Sequence, residues 1–117
     1  MAYEFEHEFW LNTDGSGSFV VTAPPRVWNA AKNVGDPKNP DGTVNEQTIA
    51  ALFHDPAIHN ARVRKVTRDG RPYITVAADF TDINSLAGTK AFPDLEIGLR
   101  REGERLRLEG ALSLIHI

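Results

Sequence analysis

The chain has 117 residues, a formal net charge of −3 and no cysteine. This length suits one hydrophobic core, and 41% apolar with 25% charged residues is typical of a folded globular domain. The lack of cysteine excludes disulfides, thiolate metal sites and cysteine nucleophiles. A negative net charge without a basic block disfavours nucleic acid as a partner.

The first predicted element is a hairpin. Residues 3–11 alternate apolar and mostly acidic side chains, which predicts a strand with one dry face and one solvated face. Trp10 falls on the solvated face together with the glutamates. The polar stretch 12–18 follows, and an extended pattern resumes over 19–22, so we predict a second strand after a long turn.

Two helices are predicted next. Pro24 and Pro25 end the second strand and open a helix, because proline lacks the ladder donor but suits a first helical turn. The composition of residues 34–42 predicts a loop. Thr43 and Glu46 then match the capping-box spacing, which predicts the start of a second helix. Its apolar stripe is Ile49, Leu52 and Phe53.

The strongest local signal is the central hairpin over residues 61–80, joined at Asp69 and Gly70. Both residue types tolerate the positive φ that tight hairpin turns require. Residues 81–88 predict a short helix with a Thr or Asp cap. Residues 95–109 alternate again, and they predict a third hairpin.

The element order ββ-αα-ββ-α-ββ predicts an α+β fold. We expect a two-layer sandwich in which an antiparallel sheet of about six strands, from three hairpins, carries two or three short helices on one face. Residues 1–111 are predicted to form this single domain. Residues 112–117 match the translated end of a sequencing adapter, so we predict a non-native tail on a truncated fragment. The alternative is an ordinary apolar strand.

The solvated face of this sheet is predicted to be charged. It would carry the glutamates of the first strand opposite arginines of other strands, in cross-strand pairs worth about 0.2 to 1 kcal/mol each. Together with Trp10, those arginines form a candidate partner surface. The candidates are Trp10, Arg62, Arg64, Arg105 and Arg107.

We predict no metal site and no cofactor. The stretch that starts at Asn12 has the alternating oxygen side chains of half a calcium loop, but Ala23 stands where the bidentate glutamate is needed, so a polar hairpin turn is the interpretation. His54 and His59 offer two ligands where a site needs three or four, and they are interpreted as surface histidines near a helix end.

We also predict no catalytic residues. The alternative is a small hydrolase or isomerase that uses His7 with Asp79 or Asp82 as an acid–base pair. His7, however, falls on the dry face of the first strand, which is typical of an interior histidine, and capping of the following helix explains both aspartates.

Several short segments resemble a known family. They are the first strand with its 12–17 turn, the 67–70 turn, and residues 79–86 leading to Phe92. Their arrangement resembles the bacterial cell-envelope lipoprotein domains of unknown function of the mycobacterial LppM type. The resemblance implies an export signal and a lipid-modified cysteine outside this sequence, with a membrane segment at the end of some members, and it supplies no catalytic residues.

We therefore expect a non-enzymatic extracytoplasmic domain of a membrane-anchored lipoprotein, which binds an envelope protein or lipid. Association with the membrane would occur only through segments that this sequence lacks. A lipid would lie between the sheet and its helices, and a protein would meet the charged face near Trp10. A structural or assembly module with an unpaired edge strand is the further alternative.

Overall fold

The computed structural model describes residues 6–36, 38–86, 89–92 and 112–116. The strands are β1 (Glu6–Leu11), β2 (Gly17–Ala23), β3 (Ile58–Arg68), β4 (Arg71–Phe80) and β5 (Leu112–His116). The helices are α1 (Pro25–Lys32), α2 (Pro40–Thr43), α3 (Glu46–Leu52) and α4 (Ile83–Leu86). None of these described helices is long and apolar enough to cross a membrane.

The strands form one sheet in the order β3-β4-β2-β1-β5. β1 and β2, β2 and β4, and β3 and β4 pair antiparallel, whereas β5 runs parallel to β1. The α+β class with an antiparallel sheet is therefore confirmed. The prediction of about six strands is not confirmed, and the predicted third hairpin over residues 95–109 lies outside the described residues.

The two described hairpins follow the predicted patterns. His7, Phe9 and Leu11 are buried, and Trp10 is 40% exposed, so the alternation along β1 is confirmed. The β3–β4 turn has φ values of 52° at Asp69 and 76° at Gly70. Positive φ at both central turn residues matches the right-handed twist of the flanking strands.

The cap of α3 differs from the prediction. Its N-cap is Asn45, which accepts a hydrogen bond from the Thr48 amide at 3.0 Å, while the Thr48 hydroxyl accepts from the Asn45 amide at 3.0 Å. Thr43 instead ends α2, where its hydroxyl donates to the Asn39 carbonyl at 2.7 Å. Pro40 opens this extra turn inside the predicted loop, so the capping box lies two residues later in the chain.

Aromatic side chains fill the space between the sheet and the helices. Phe19 contacts Phe9, Phe53 and Phe92 with ring centroids 6.1, 5.7 and 5.1 Å apart. Trp28 of α1 packs edge-on against Phe53, and it is fully buried. Ile83 and Leu86 of α4 are buried in the same core.

Residues Leu112–His116, assigned from the sequence to a non-native tail, form β5. They pair with β1 over five positions, from Glu6 opposite Leu112 to Trp10 opposite His116. A strand of either origin can pair in this way, so the non-native tail stays a prediction.

Deletion of residues 112–117 is expected to lower the melting temperature by about 5 °C or more, because β1 loses its hydrogen-bonded neighbour on one side. Circular dichroism of the full chain and the shortened chain measures the difference. A melting temperature that stays within a degree or two would show that β5 adds no stability to the sheet.

Candidate functional site

Most of the described candidates lie on the face of the sheet opposite the aromatic core. We call this the open face. Trp10 on β1 is paired with Ser18 on β2, and Ser18 is paired with Asp79 on β4. Paired residues of neighbouring strands point to the same side of a sheet, so these three side chains share the open face. Its described members also include Glu6, Glu8, Arg62, Arg64, Arg68, Tyr73, Thr75 and Ala77.

Arg62 and Arg64 do not form the cross-strand pairs that the sequence predicted. β4 and β2 lie between β3 and β1, so Arg62 faces Ala77 and Arg64 faces Thr75 rather than a glutamate. Both arginines are exposed, and no ion pair joins either of them to another residue in the described part of the chain. Arg105 and Arg107 lie outside the described residues.

Glu6 forms an ion pair with Arg68, with Oε2 3.5 Å from Nη1. The Arg68 guanidinium also lies 5.3 Å from the centre of the Tyr73 ring. Two strands lie between Arg68 on β3 and Glu6 on β1, so this ion pair links the tip of the β3–β4 hairpin to β1 across the open face. Both partners are half exposed, so the pair itself is worth at most about 1 kcal/mol.

A cavity of about 340 Å³ lies at the other end of the open face. We call it the Trp10 cleft, and its lining is Trp10, Asn12, Ser16, Gly17, Ser18, Asp79 and Phe80. The small Ser18 stands between the larger side chains of Trp10 and Asp79. With strands about 4.8 Å apart, these two walls stand roughly 10 Å apart at the backbone.

A bulge in β3 holds one wall of this cleft. The register shifts between His59 and Arg62, and Asn60 adopts the left-handed region with a φ of 56°. Its side-chain amide donates to Asp79 Oδ2 at 3.1 Å. Bulges redirect side chains, and asparagine tolerates this conformation better than most residues do, so the bulge orients the Asp79 carboxylate.

The β1–β2 turn closes the end of the cleft. Ser16 donates to Asp14 Oδ1 from its hydroxyl at 2.6 Å and from its amide at 3.0 Å, and these bonds lower the pKa of Asp14. Asn12 Nδ2 donates to the Ser16 hydroxyl at 3.1 Å. The polar side chains of the predicted turn therefore form hydrogen bonds with one another. The described residues contain no group of three His, Asp or Glu side chains that could hold a metal ion.

Gly17 allows the two strands to meet tightly at the floor of the cleft. A Cβ atom at this position would collide with the backbone carbonyl of Trp10 and would lie 2.9 Å from Cζ of Phe80. Backbone cannot move aside as a flexible side chain can, so glycine is required where the cleft joins the core.

The structure does not bring His7 and Asp79 together. His7 is buried on the core face, with ring centroids 6.1 Å from Phe9 and 5.7 Å from Phe92, whereas Asp79 belongs to the open face. Burial, and then the charge of Lys32, lower the pKa of His7 to about 4. An acid–base pair would need direct contact or one bridging water.

The capping interpretation of the two aspartates is half right. Asp82 accepts a hydrogen bond from the Asn84 amide at 2.9 Å, in the first turn of α4. For Asp79 the interpretation is wrong, because its carboxylate accepts from Asn60 in the neighbouring strand.

The two surface histidines lie in different environments. His54 lines a cavity of about 540 Å³ where α3 ends and β3 begins, together with Asp55. His59 is paired with Asp79 in the β3–β4 register. Sequence reasoning singled out neither Ser18 nor Asn60, because their roles depend on which strands are neighbours.

The described candidates thus occupy two parts of the open face, the exposed arginines of β3 and the Trp10 cleft. The interior between the sheet and helices holds the aromatic core and His7. Comparison of the chain with protein-family models, with curated proteins and with solved structures finds no match.

Proposed function

We propose that this protein is a non-enzymatic, extracytoplasmic binding domain of a bacterial membrane-anchored lipoprotein, and that it engages a protein partner through the open face. One observation carries the choice of surface. Arg62 and Arg64 are exposed side by side on β3, and their register partners are the neutral Ala77 and Thr75. The envelope location rests on the resemblance in sequence alone.

The charges on the open face favour a protein over a lipid. Arg62 and Arg64 lie on β3, while Glu8 and Glu6, the latter paired with Arg68, lie on β1 of the same face. An anionic lipid surface would attract the arginines and repel the glutamates, whereas a protein can present both signs in register. The complementary partner presents carboxylates to Arg62 and Arg64, since the guanidinium group binds carboxylates through two parallel hydrogen bonds.

A photo-crosslinking residue placed on each side of the molecule tests this surface. We would put p-benzoylphenylalanine at position 77, where Ala77 faces Arg62, and as a matched control at position 50, where Ala50 is exposed on α3. In living cells of the source organism, position 77 is expected to crosslink to one discrete protein, which mass spectrometry identifies. The double variant Arg62→Glu/Arg64→Glu should reduce that crosslink at least 10-fold.

Three outcomes would contradict the proposal. The first is that position 77 gives no crosslink to a protein. The second is that the crosslink survives the charge reversal, and the third is that position 50 captures the same protein equally well. Flotation with vesicles of phosphatidylglycerol and phosphatidylethanolamine tests the lipid alternative. If the protein binds these vesicles and Arg62→Glu/Arg64→Glu abolishes that binding, the partner of the open face is an anionic lipid surface and not a protein.

A further inference from the structure

Trp10 is exposed at a place where the chain has built a cleft. The Trp10 side chain is 40% exposed, and among the described residues it is the large apolar side chain that reaches solvent. Trp28 and the described phenylalanines are buried. Single exposed apolar residues are common, but Trp10 is also one wall of a cavity whose other lining side chains are mostly polar. An apolar wall with a few convergent polar groups is the usual composition of a ligand site.

The dimensions of the Trp10 cleft suit one six-membered sugar ring. Trp10 and Asp79 stand two strands apart, roughly 10 Å at the backbone, with Ser18 between them. The cavity of about 340 Å³ lies at the small end of the range for ligand pockets. A longer molecule would extend from the cleft over the open face.

The chemistry of the walls matches a sugar ring. A pyranose has one face of C–H groups, which packs on the apolar surface of an indole, and an edge of hydroxyl groups that donate and accept hydrogen bonds. Asp79 offers carboxylate oxygens to hydroxyl donors, and the exposed amide of Asn12 offers both a donor and an acceptor. We infer that the Trp10 cleft binds one pyranose ring of a neutral carbohydrate, stacked on Trp10 and hydrogen-bonded to Asp79.

Asn60 strengthens this assignment as a positioning residue. Its left-handed backbone conformation is one that asparagine accepts more readily than most residues with a side chain, and in this conformation its amide donates to Asp79. A carboxylate that is already oriented loses less freedom when it binds a hydroxyl group. The inference goes beyond the proposed protein surface, and it does not rest on that surface.

The fluorescence of Trp10 gives a direct test. Trp28 is fully buried, so quenching by acrylamide reports mainly on Trp10. We would titrate the full chain with cellotriose, chitotriose and maltotriose, which differ in linkage and in ring substituents. At least one trisaccharide is expected to change the fluorescence saturably, with a Kd on the order of 1 mM, and to reduce acrylamide quenching at least 2-fold.

Three variants keep the fluorophore and change the cleft. Asp79→Asn removes the negative charge, and Ser18→Leu fills the space between the walls, so each should weaken binding at least 10-fold. Asn60→Gly tolerates the same backbone conformation and removes the amide, so it should weaken binding about 3-fold to 5-fold. Thermal melting checks that each variant is folded. Arg62→Glu/Arg64→Glu should bind the sugar as the wild type does, which separates this site from the proposed protein surface.

The inference is overturned if none of the three trisaccharides changes the fluorescence saturably. It is also overturned if the folded Asp79→Asn and Ser18→Leu variants bind as tightly as the wild type. Unchanged binding by folded Asn60→Gly would remove the positioning role of Asn60 while leaving the sugar site.

Discussion

Replacement of Trp28 by alanine is expected to destabilise the protein by about 4 kcal/mol or more, a large part of the total stability of a domain of this size. Trp28 is fully buried, and its ring meets the Phe53 ring edge-on with centroids 6.0 Å apart. Its indole Nε1 donates to the Ile74 carbonyl at 3.0 Å, which joins α1 to the interior strand β4. The alanine variant loses apolar contact, leaves a cavity and removes this donor.

Trp28→Phe separates these losses. Phenylalanine keeps most of the buried ring surface but cannot donate to the Ile74 carbonyl, so we expect a cost of about 2 kcal/mol. Urea unfolding of both variants gives the free energies, provided the slope with denaturant stays constant. A loss below about 1 kcal/mol for Trp28→Ala would show that α1 is not a main support of the core.

Acidification from pH 7 to pH 4 is expected to cost about 3 kcal/mol of unfolding free energy through His7. The folded protein holds the pKa of His7 near 4, well below its ordinary value of 6.5, because burial and the charge of Lys32 disfavour the imidazolium. Between these two values the unfolded chain binds the proton and the folded chain does not. Stability is therefore fully present above pH 6.5 and falls as the pH decreases toward 4.

Carboxylates titrate over the same pH range, so the contribution of His7 is obtained by comparing the pH dependence of the unfolding free energy in the wild type and in variants. His7→Leu keeps a similar apolar shape and should lose about 3 kcal/mol less than the wild type between pH 7 and pH 4. Lys32→Gln removes the smaller of the two causes and should recover only part of that difference. Urea unfolding at half-unit pH steps measures both. Equal pH dependence in His7→Leu and the wild type would mean that His7 is protonated at its ordinary pKa in the folded protein.

The sequence predicts the features that depend on neighbours along the chain. The turn at Asp69 and Gly70 needs only two residues that accept positive φ. The alternation that buries His7 and exposes Trp10 needs only the two-residue period of a strand. The cap of α3 lies at Asn45 rather than at Thr43, because the extra turn that begins at Pro40 takes Thr43 as its last residue.

Features that depend on strand order could not be predicted in the same way. Arg62 and Arg64 were expected to meet glutamates, but β4 and β2 separate these arginines from β1. The Trp10 cleft exists because Ser18 lies between Trp10 and Asp79 in three neighbouring strands. The bulge at Asn60 adds one residue to β3, and nothing in the local pattern marks where that residue falls.

The most direct test of the open face as a protein-binding surface is the affinity of the partner identified by crosslinking, measured with purified proteins at 50 and 300 mM salt. We expect Arg62→Glu/Arg64→Glu to weaken binding at least 10-fold at low salt, and the wild-type affinity to fall as salt rises, because exposed charges carry the contact. Equal affinity of the wild type and the double variant, with a loss on Ala50→Arg instead, would place the partner on the helical side and contradict the account.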